Sequence, residues 1–475
     1  MRVRGLTCSY GSDPVLDNLS FRVSRGEIVG ITGHSGCGKT TLAHCLAGIK
    51  AGCDVKGEVI VDGINVLEEK PSVITKRINI IMQNFEIQIF GLTVEDDIVF
   101  GLENLDLPHD DIEKRLEWAL KTFKLEKYRH YRISELSGGL KQKVVIASTV
   151  ILDPEFVIMD DPTSNLDWPG VCALKSIMSW LKSQNKGVII LARRIKGLEE
   201  VLDRFYVLEG GRLKAAKADC AVSSLKKIPK LKCERKPVVG VRDLWFKYSQ
   251  GYILKNVHLR VNSSEVVTIM GPNGSGKTTL VKHLNGLLKP TKGSVEIMGQ
   301  NVNTMSTAEM AKYVAFVFQD PDRHITNNTV WEEAAFGCRN LGLPDDHAKR
   351  ALSMMGLADA IKMSPYALNM GGKTRLSIAS ALATDPKILV LDEPTTGQDA
   401  KTLEVLKNTI LNLRSGGKTI VVVTHDSDFA LEISDRVVVL HSGRIVADSV
   451  PDEILRKRKF LEAFELEPPL RRGDR

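Results

Sequence analysis

The sequence predicts an α/β protein made of two like domains, each a mostly parallel sheet core that carries an inserted helical subdomain. Three observations predict it. The chain has 475 residues, 43% hydrophobic and 26% charged, which is the composition of a folded protein and exceeds the roughly 250–300 residues at which one core stops growing. It also repeats itself. "CSYGSDPVLDNLSFRVSRGEIVGITGHSGCGKTTLAHCLAGI" returns as "FKYSQGYILKNVHLRVNSSEVVTIMGPNGSGKTTLVKHLNGL", and Tyr10 precedes Lys39 by the same interval as Tyr248 precedes Lys277. A repeat this long marks duplicated domains rather than a solenoid. Finally, short β-rich runs alternate with helix-patterned stretches, the pattern of a parallel sheet between helices.

In chain order, "EIVGIT", "FVIMD" and "GVIILA" are the predicted core strands of the first half, and "EVVTIM", "ILVLD" and "TIVVVT" those of the second. The charged segments around 102–150 and 338–383 read as helical subdomains inserted between two core strands. These elements give a first domain at 1–225 and a second at 237–475. Between them lies "KKIPKLKCERK", 226–236, with six basic residues and a proline. It reads as an exposed linker, favoured over a lipid- or nucleic-acid-binding segment.

The net charge of +7 permits contact with an anionic surface without demanding it. No apolar run approaches the roughly 20 residues that span a bilayer, and "MRVRGLTCSYGSD" lacks a signal-peptide core. The chain is therefore expected in the cytosol unless a partner docks it on a membrane. The 8 cysteines show no paired CxxC spacing and read as free thiols rather than as a metal or redox site.

"GHSGCGKTT" (33–41) and "GPNGSGKTT" (271–279) both fit G-x-x-x-x-G-K-[ST], and each follows a strand and opens a helix. That is the phosphate-binding P-loop in its required context. Gly33, Ser35, Gly36 and Gly38, and likewise Gly271, Asn273, Gly274 and Gly276, let backbone N–H groups converge on phosphate oxygens at a helix N-terminus. Lys39 and Lys277 would reach the β- and γ-phosphates. Thr40 and Thr278 would offer hydroxyls to Mg²⁺, with Thr41 and Thr279 completing each loop. Two matches in context predict two ATP sites.

"FVIMDDP" and "ILVLDEP" end apolar strands on carboxylates. Asp160 and Asp392 would hold Mg²⁺, directly or through water. The following residue would orient or deprotonate the attacking water. It is Glu393 in the second half but Asp161, one methylene shorter, in the first. Base catalysis depends on reach, so Asp161 is predicted to act poorly.

Together these motifs resemble the ATP-binding cassette (ABC) ATPases, once per half and over nearly the whole chain. The resemblance implies two P-loop NTPase domains. "LSGGLKQK" (136–143) is similar to the family's signature, with Ser137, Gly138 and Gly139 facing a γ-phosphate. "VVVTHD" (421–426) would supply the switch histidine, His425. Gln83 and Gln319 fall where the family has a glutamine that senses the γ-phosphate and reaches the metal, and Tyr10 and Tyr248 fall where an aromatic stacks on adenine. In this family two such domains pair head to tail, each ATP lying between one P-loop and the other domain's signature.

The halves differ. Gly139 precedes Asp160 by the same interval as Gly371 precedes Asp392, so Ser137 matches Asn369 and Gly138 matches Met370. Asn369 can still cap a helix, but Met370 adds bulk where backbone should approach phosphate. Arg193 stands where the second half has His425, and Arg cannot share a proton as His can. Assigned to composite sites, Asp161, Arg193, Asn369 and Met370 all fall on one ATP. Lys277, Asp392, Glu393, His425 and Gln319 meet the intact Ser137, Gly138 and Gly139 on the other. Pairing within one chain is simplest; exchange between two chains stays open.

"QNFEIQIFGLTVEDDIVFGLENLDLP", echoed by "QDPDRHITNNTVWEEAAFGCRNLGLP", is similar to the glutamine-loop region of energy-coupling-factor (ECF, cobalt-type) ATPases. That likeness implies an ATPase powering uptake of a vitamin or transition-metal ion. It would sit peripherally on the cytoplasmic face of the cell membrane. Its partners would be a transmembrane coupling protein and a small membrane substrate-binding protein, contacted through residues 84–95 and 320–331. The other reading is a soluble twin-cassette ATPase acting on ribosomes or nucleic acid. Nucleic acid is not the expected partner, because the glutamine-loop likeness has no place in that reading.

Overall fold

A computed structural model describes residues 1–470 except 12, 51, 106, 137, 165, 217–235 and 249–250. The chain divides into two compact units, Met1–Cys220 and Ala221–Arg475. The predicted linker lies outside the described residues save Lys236, whose N–H donates to Ser263 Oγ at 3.2 Å.

The first unit centres on a six-stranded sheet in the order Arg212–Ala216, Arg204–Glu209, Ile28–Thr32, Gly187–Ala192, Phe156–Asp160, Ile78–Ile81. All neighbours are parallel except the first pair. Alternate residues of each strand serve opposite faces. Val157, Met159, Val188 and Ile190 face the core that holds the helical subdomain. Phe156, Ile158, Ile189 and Leu191 face a second core. Burial on both faces is why these strands read as continuous apolar runs.

The second core lies under a four-stranded antiparallel sheet, Pro14–Arg22, Arg2–Ser9, Asp54–Val61 and Ile64–Asn65. This sheet is an addition to the mostly parallel fold expected from the sequence. Its strands alternate buried and exposed residues, the mark of a sheet wet on one side.

The helical subdomain comprises Val94–Glu103, His109–Phe123 and Gly138–Val150, between strands Ile78–Ile81 and Phe156–Asp160. It begins earlier than the charged segment suggests because Thr93 starts a helix. The Thr93 hydroxyl accepts from Asp96 N, and the Asp96 carboxylate accepts from Thr93 N, a reciprocal capping box.

The second unit repeats this plan. Its six-stranded sheet runs Val314–Val317, Ile388–Asp392, Thr419–Val423, Val266–Met270, Arg436–His441, Arg444–Ser449. Its subdomain helices are Val330–Asn340, Asp346–Met354 and Met370–Ala383. Two short helices, Pro451–Leu455 and Arg458–Ala463, follow the last strand and pack a small core of Ile454, Leu455 and Leu461 against Val437 and Val439.

Both glutamine loops are pinned by a buried carboxylate. Asp97 accepts from the N–H groups of Phe90 and Gly91 at 2.8 and 3.0 Å. Glu333 accepts from Thr326 and Asn327, both at 3.0 Å. Asp97→Ala orphans two backbone donors, so urea unfolding of the protein should show a loss of about 1–3 kcal/mol. An unchanged midpoint would contradict this role.

Candidate active site

The parallel order brings the motifs to one edge of each sheet. In the first unit Ile28–Thr32 lies beside Gly187–Ala192, which lies beside Phe156–Asp160. The P-loop, the switch position and the carboxylates therefore leave the carboxyl ends of three adjacent strands, where open α/β sheets bind ligands.

Each P-loop ends on a left-handed glycine, Gly38 at φ 100° and Gly276 at φ 103°, a conformation that L side chains rarely adopt. It turns the chain straight into helices Lys39–Leu46 and Lys277–Leu284. Lys39 Nζ donates to Gly33 O and His34 O at 2.7 and 2.9 Å. Lys277 Nζ donates to Gly271 O and Pro272 O at 2.8 and 3.0 Å. Each ammonium thus lies across the mouth of its own loop. Tyr10 and Tyr248 are exposed, two residues beyond the buried Cys8 and Phe246.

Thr40 Oγ1 donates to Asp160 at 2.7 Å, and Thr278 Oγ1 to Asp392 at 3.1 Å. Both aspartates are buried. Burial chiefly, then the neighbouring Glu393, raises Asp392 to about 6 against the Thr278 hydrogen bond and Lys277. Burial likewise pushes Asp160 up, against its bond from Thr40. A buried carboxyl raised in this way beside a hydroxyl fits a small oxygen-seeking cation, whose charge would restore the carboxylate. The donor set thus fits Mg²⁺.

The next residue of each half has left-handed backbone, Asp161 at φ 48° and Glu393 at φ 50°. For a non-glycine this costs on the order of 1–3 kcal/mol. It turns each side chain back towards the adjacent strand, whose end carries the switch position. His425 Nδ1 lies 3.0 Å from Glu393 Oε2. Burial works against both charges. Even so, His425 holds Glu393 below its usual range, and Glu393 holds His425 up at about 9. In the first half Arg193 Nε lies 2.9 Å from Asp161 Oδ2, both side chains buried. Among the described residues Oδ2 accepts no hydrogen bond, so the contact is an ion pair. Burial outweighs the pull of Arg193 and raises Asp161. The two sequence departures therefore contact one another.

Ser137 lies outside the described residues. Helix Gly138–Val150 starts immediately after it, and a Cβ on Gly138 or Gly139 would meet nothing within 4 Å. Among the described residues, nothing demands glycine there. In the second half Asn369 caps helix Met370–Ala383, its side chain accepting from Gly372 N at 2.8 Å. Met370 is 39% exposed at the helix start. Gly371 and Gly372 are buried, and a Cβ on Gly371 would come within 3.1 Å of Gln398 and Thr402. Packing accounts for these glycines. Gln83 is half-buried and Gln319 exposed at the starts of their loops.

Sequence reading missed the residues that tie the signature helices to the loops around them. Lys141 Nζ pairs with Glu86 at 2.8 Å and Lys373 Nζ with Asp322 at 2.6 Å, joining each helix to its glutamine loop. Gln142 Nε2 donates to Pro162 O at 2.9 Å, and Gln398 Nε2 to Thr374 Oγ1 at 3.0 Å, joining each helix to the loop after the carboxylate. The lysine–carboxylate pairs recur at matched positions in both halves, which was the available signal; the glutamines do not, since Gln142 matches Thr374 and Gln398 matches Leu166.

The ABC transporter family matches residues 16–164 and 254–396, more than half of the chain. A protein of Methanosarcina mazei named for an ABC transporter ATP-binding role is 36% identical over 471 residues, covering 94% of this chain and 95% of that one. YkoD of Bacillus subtilis, named for HMP/thiamine import ATP binding, is 31% identical over 511 residues, covering 97% and 93%. The archaeal ribosome recycling factor aABCE1, solved with stalk protein aP1, aligns with a TM-score of 0.68 at 22% identity, covering 97% and 92%; at that identity the likeness is one of fold. Two P-loops, paired carboxylates at strand ends and family matches across both halves lead to one conclusion: the chain is a tandem ATP-binding ATPase that belongs to the ABC transporter family.

Proposed function

We propose that this chain is the ATP-hydrolysing subunit of an ECF-type importer that takes up a micronutrient, a vitamin or a transition-metal ion. One observation carries the reading. The first glutamine loop and its helix expose an apolar set, with Ile87 60%, Phe90 67% and Leu92 82% exposed. Phe90 stacks on the exposed Phe100 at 5.1 Å. An exposed apolar set on a nucleotide-sensing loop suits a partner surface, here the coupling helices of a transmembrane protein. The second half has Arg323, Thr326 and Asn328 at the positions of Ile87, Phe90 and Leu92, so the two loops would meet different partner faces. The import name of the Bacillus subtilis relative supports a vitamin-class cargo. Among the described residues no helix is long and apolar enough to cross a membrane, which suits a peripheral subunit on the cytoplasmic face.

In this reading residues 1–225 and 237–475 are the two cassettes, joined by 226–236. They pair head to tail within one chain, the linker raising the effective concentration of each half for the other. Glu393 positions the attacking water, with His425 and Gln319 sensing the γ-phosphate. Lys277 and the P-loop N–H groups orient the phosphates, and Tyr248 stacks on adenine. Thr278, Asp392 and Gln319 would hold Mg²⁺, which supplies charge neutralisation on the phosphate oxygens. Ser137, Gly138 and Gly139 close this site from the other half.

The first-half site binds ATP through Tyr10, the P-loop and the metal-holding Thr40, Gln83 and Asp160. It turns over slowly or not at all. Asp161 is short and occupied by Arg193, and Met370 projects from the helix end that faces this phosphate.

Affinity purification from native membranes tests the transport role. A multi-span coupling protein and a small multi-span membrane protein should come with this chain, and Phe90→Ser with Leu92→Ser should cut their recovery by roughly tenfold or more. Recovery of ribosomes or RNA in a salt-sensitive manner, without membrane proteins, would overturn it.

A further inference from the structure

We propose that Cys8, Cys45 and Cys53 form a binding site for a thiophilic divalent cation of the Zn²⁺ class in the first half. Cys8 lies on strand Arg2–Ser9 and Cys45 on helix Lys39–Leu46. Cys53 precedes strand Asp54–Val61. Three separate segments thus deliver one sulfur each, and the three Sγ atoms lie within 4.8 Å of one another. Tetrahedral thiolate ligands at ~2.3 Å from a zinc ion stand about 3.8 Å apart, so modest side-chain rotation completes the site.

All three are free thiols. Cys8 and Cys45 are buried, and Cys53 is half-buried, so the cluster is approached on the Cys53 side, and water would be the fourth ligand. Burial keeps the Cys8 and Cys45 thiols protonated, raising Cys45 to about 11 and Cys8 higher still. A bound cation would displace those protons, making affinity rise with pH. The surroundings are an apolar core that includes Leu6, Leu42 and Val59. Three thiolates leave one net negative charge on a divalent ion but two on Cu⁺. Burial of charge in such a core therefore favours the divalent ion.

The second half shows what packing alone requires here. Phe246 and His283 occupy the positions of Cys8 and Cys45 and pack edge to face at 4.8 Å. Core filling thus needs no sulfur, and it gives no reason for a third, half-exposed thiol to converge. An occupied site would tie the strand that leads to Tyr10 to the helix that begins at Lys39, bracing the first nucleotide subdomain.

The test uses the full chain, reduced and metal-free, titrated with Zn²⁺ against a chromophoric chelator. One equivalent should bind with release of protons, X-ray absorption should report sulfur at ~2.3 Å, and saturating Zn²⁺ should raise the thermal midpoint by roughly 5–10 °C. Cys53→Ala should abolish the equivalent. Cys8→Phe with Cys45→His, which copies the second half and keeps the core filled, should abolish the three-sulfur signal. Cys172→Ser, Cys220→Ser and Cys233→Ser together should leave binding intact. Absence of a bound equivalent, its survival in both site variants, its loss in that triple variant, or uptake of Cu⁺ alone would overturn the proposal.

Discussion

Glu393→Gln is expected to lower ATP turnover by roughly 10²–10⁴-fold, the range for loss of a positioned base, whereas Asp161→Asn should lower it by less than about twofold. The structure sharpens the reason for this asymmetry. Glu393 sits against a histidine that can share a proton, at 3.0 Å. Asp161 is shorter by a methylene and sits against a buried guanidinium that cannot. Replacing Glu393 would remove the proposed base from an otherwise complete set of groups. Replacing Asp161 removes a carboxylate that is already engaged. Steady-state phosphate release from the purified chain measures both, and equal losses would refute the asymmetry.

Gly138→Met is the complementary change, made on the opposite half. It copies Met370 into the intact signature and should lower turnover by about 10²–10³-fold, the cost of losing a preorganised phosphate contact. Folding should be unaffected, because a Cβ at Gly138 meets nothing within 4 Å and methionine is the better helix former. An unchanged thermal midpoint with collapsed turnover separates the phosphate contact from packing. In the proposed pairing Met370→Gly should change turnover less than about threefold, since Asp161 and Arg193 would remain on that ATP. Retained turnover in Gly138→Met, or a large gain in Met370→Gly, would contradict the assignment.

What could be read in the chain alone follows from where each signal is stored. The core strands were legible because burial on both faces makes them continuous apolar runs, as in "FVIMD" and "GVIILA". The P-loops were legible because phosphate recognition needs a fixed local spacing of glycines and lysine. The antiparallel sheets were not read. Their strands are only half apolar, and they pair residues far apart, as Val3 does with Val59. The Asp161–Arg193 contact was visible only as two separate departures, since their meeting depends on the adjacency of two parallel strands. The same limit hid the convergence of Cys8, Cys45 and Cys53, which have no local spacing pattern and meet through tertiary packing.

The central claim is that one of two bound ATP molecules is consumed. A single-turnover measurement tests it most directly: the purified chain is loaded with labelled ATP at both sites, freed of excess nucleotide, and triggered with Mg²⁺ while bound ATP and ADP are followed. The account predicts that half of the bound ATP is hydrolysed in one phase, that the other half persists, and that Glu393→Gln removes the phase while Asp161→Asn leaves it. Hydrolysis of both ATP molecules at one rate would contradict it.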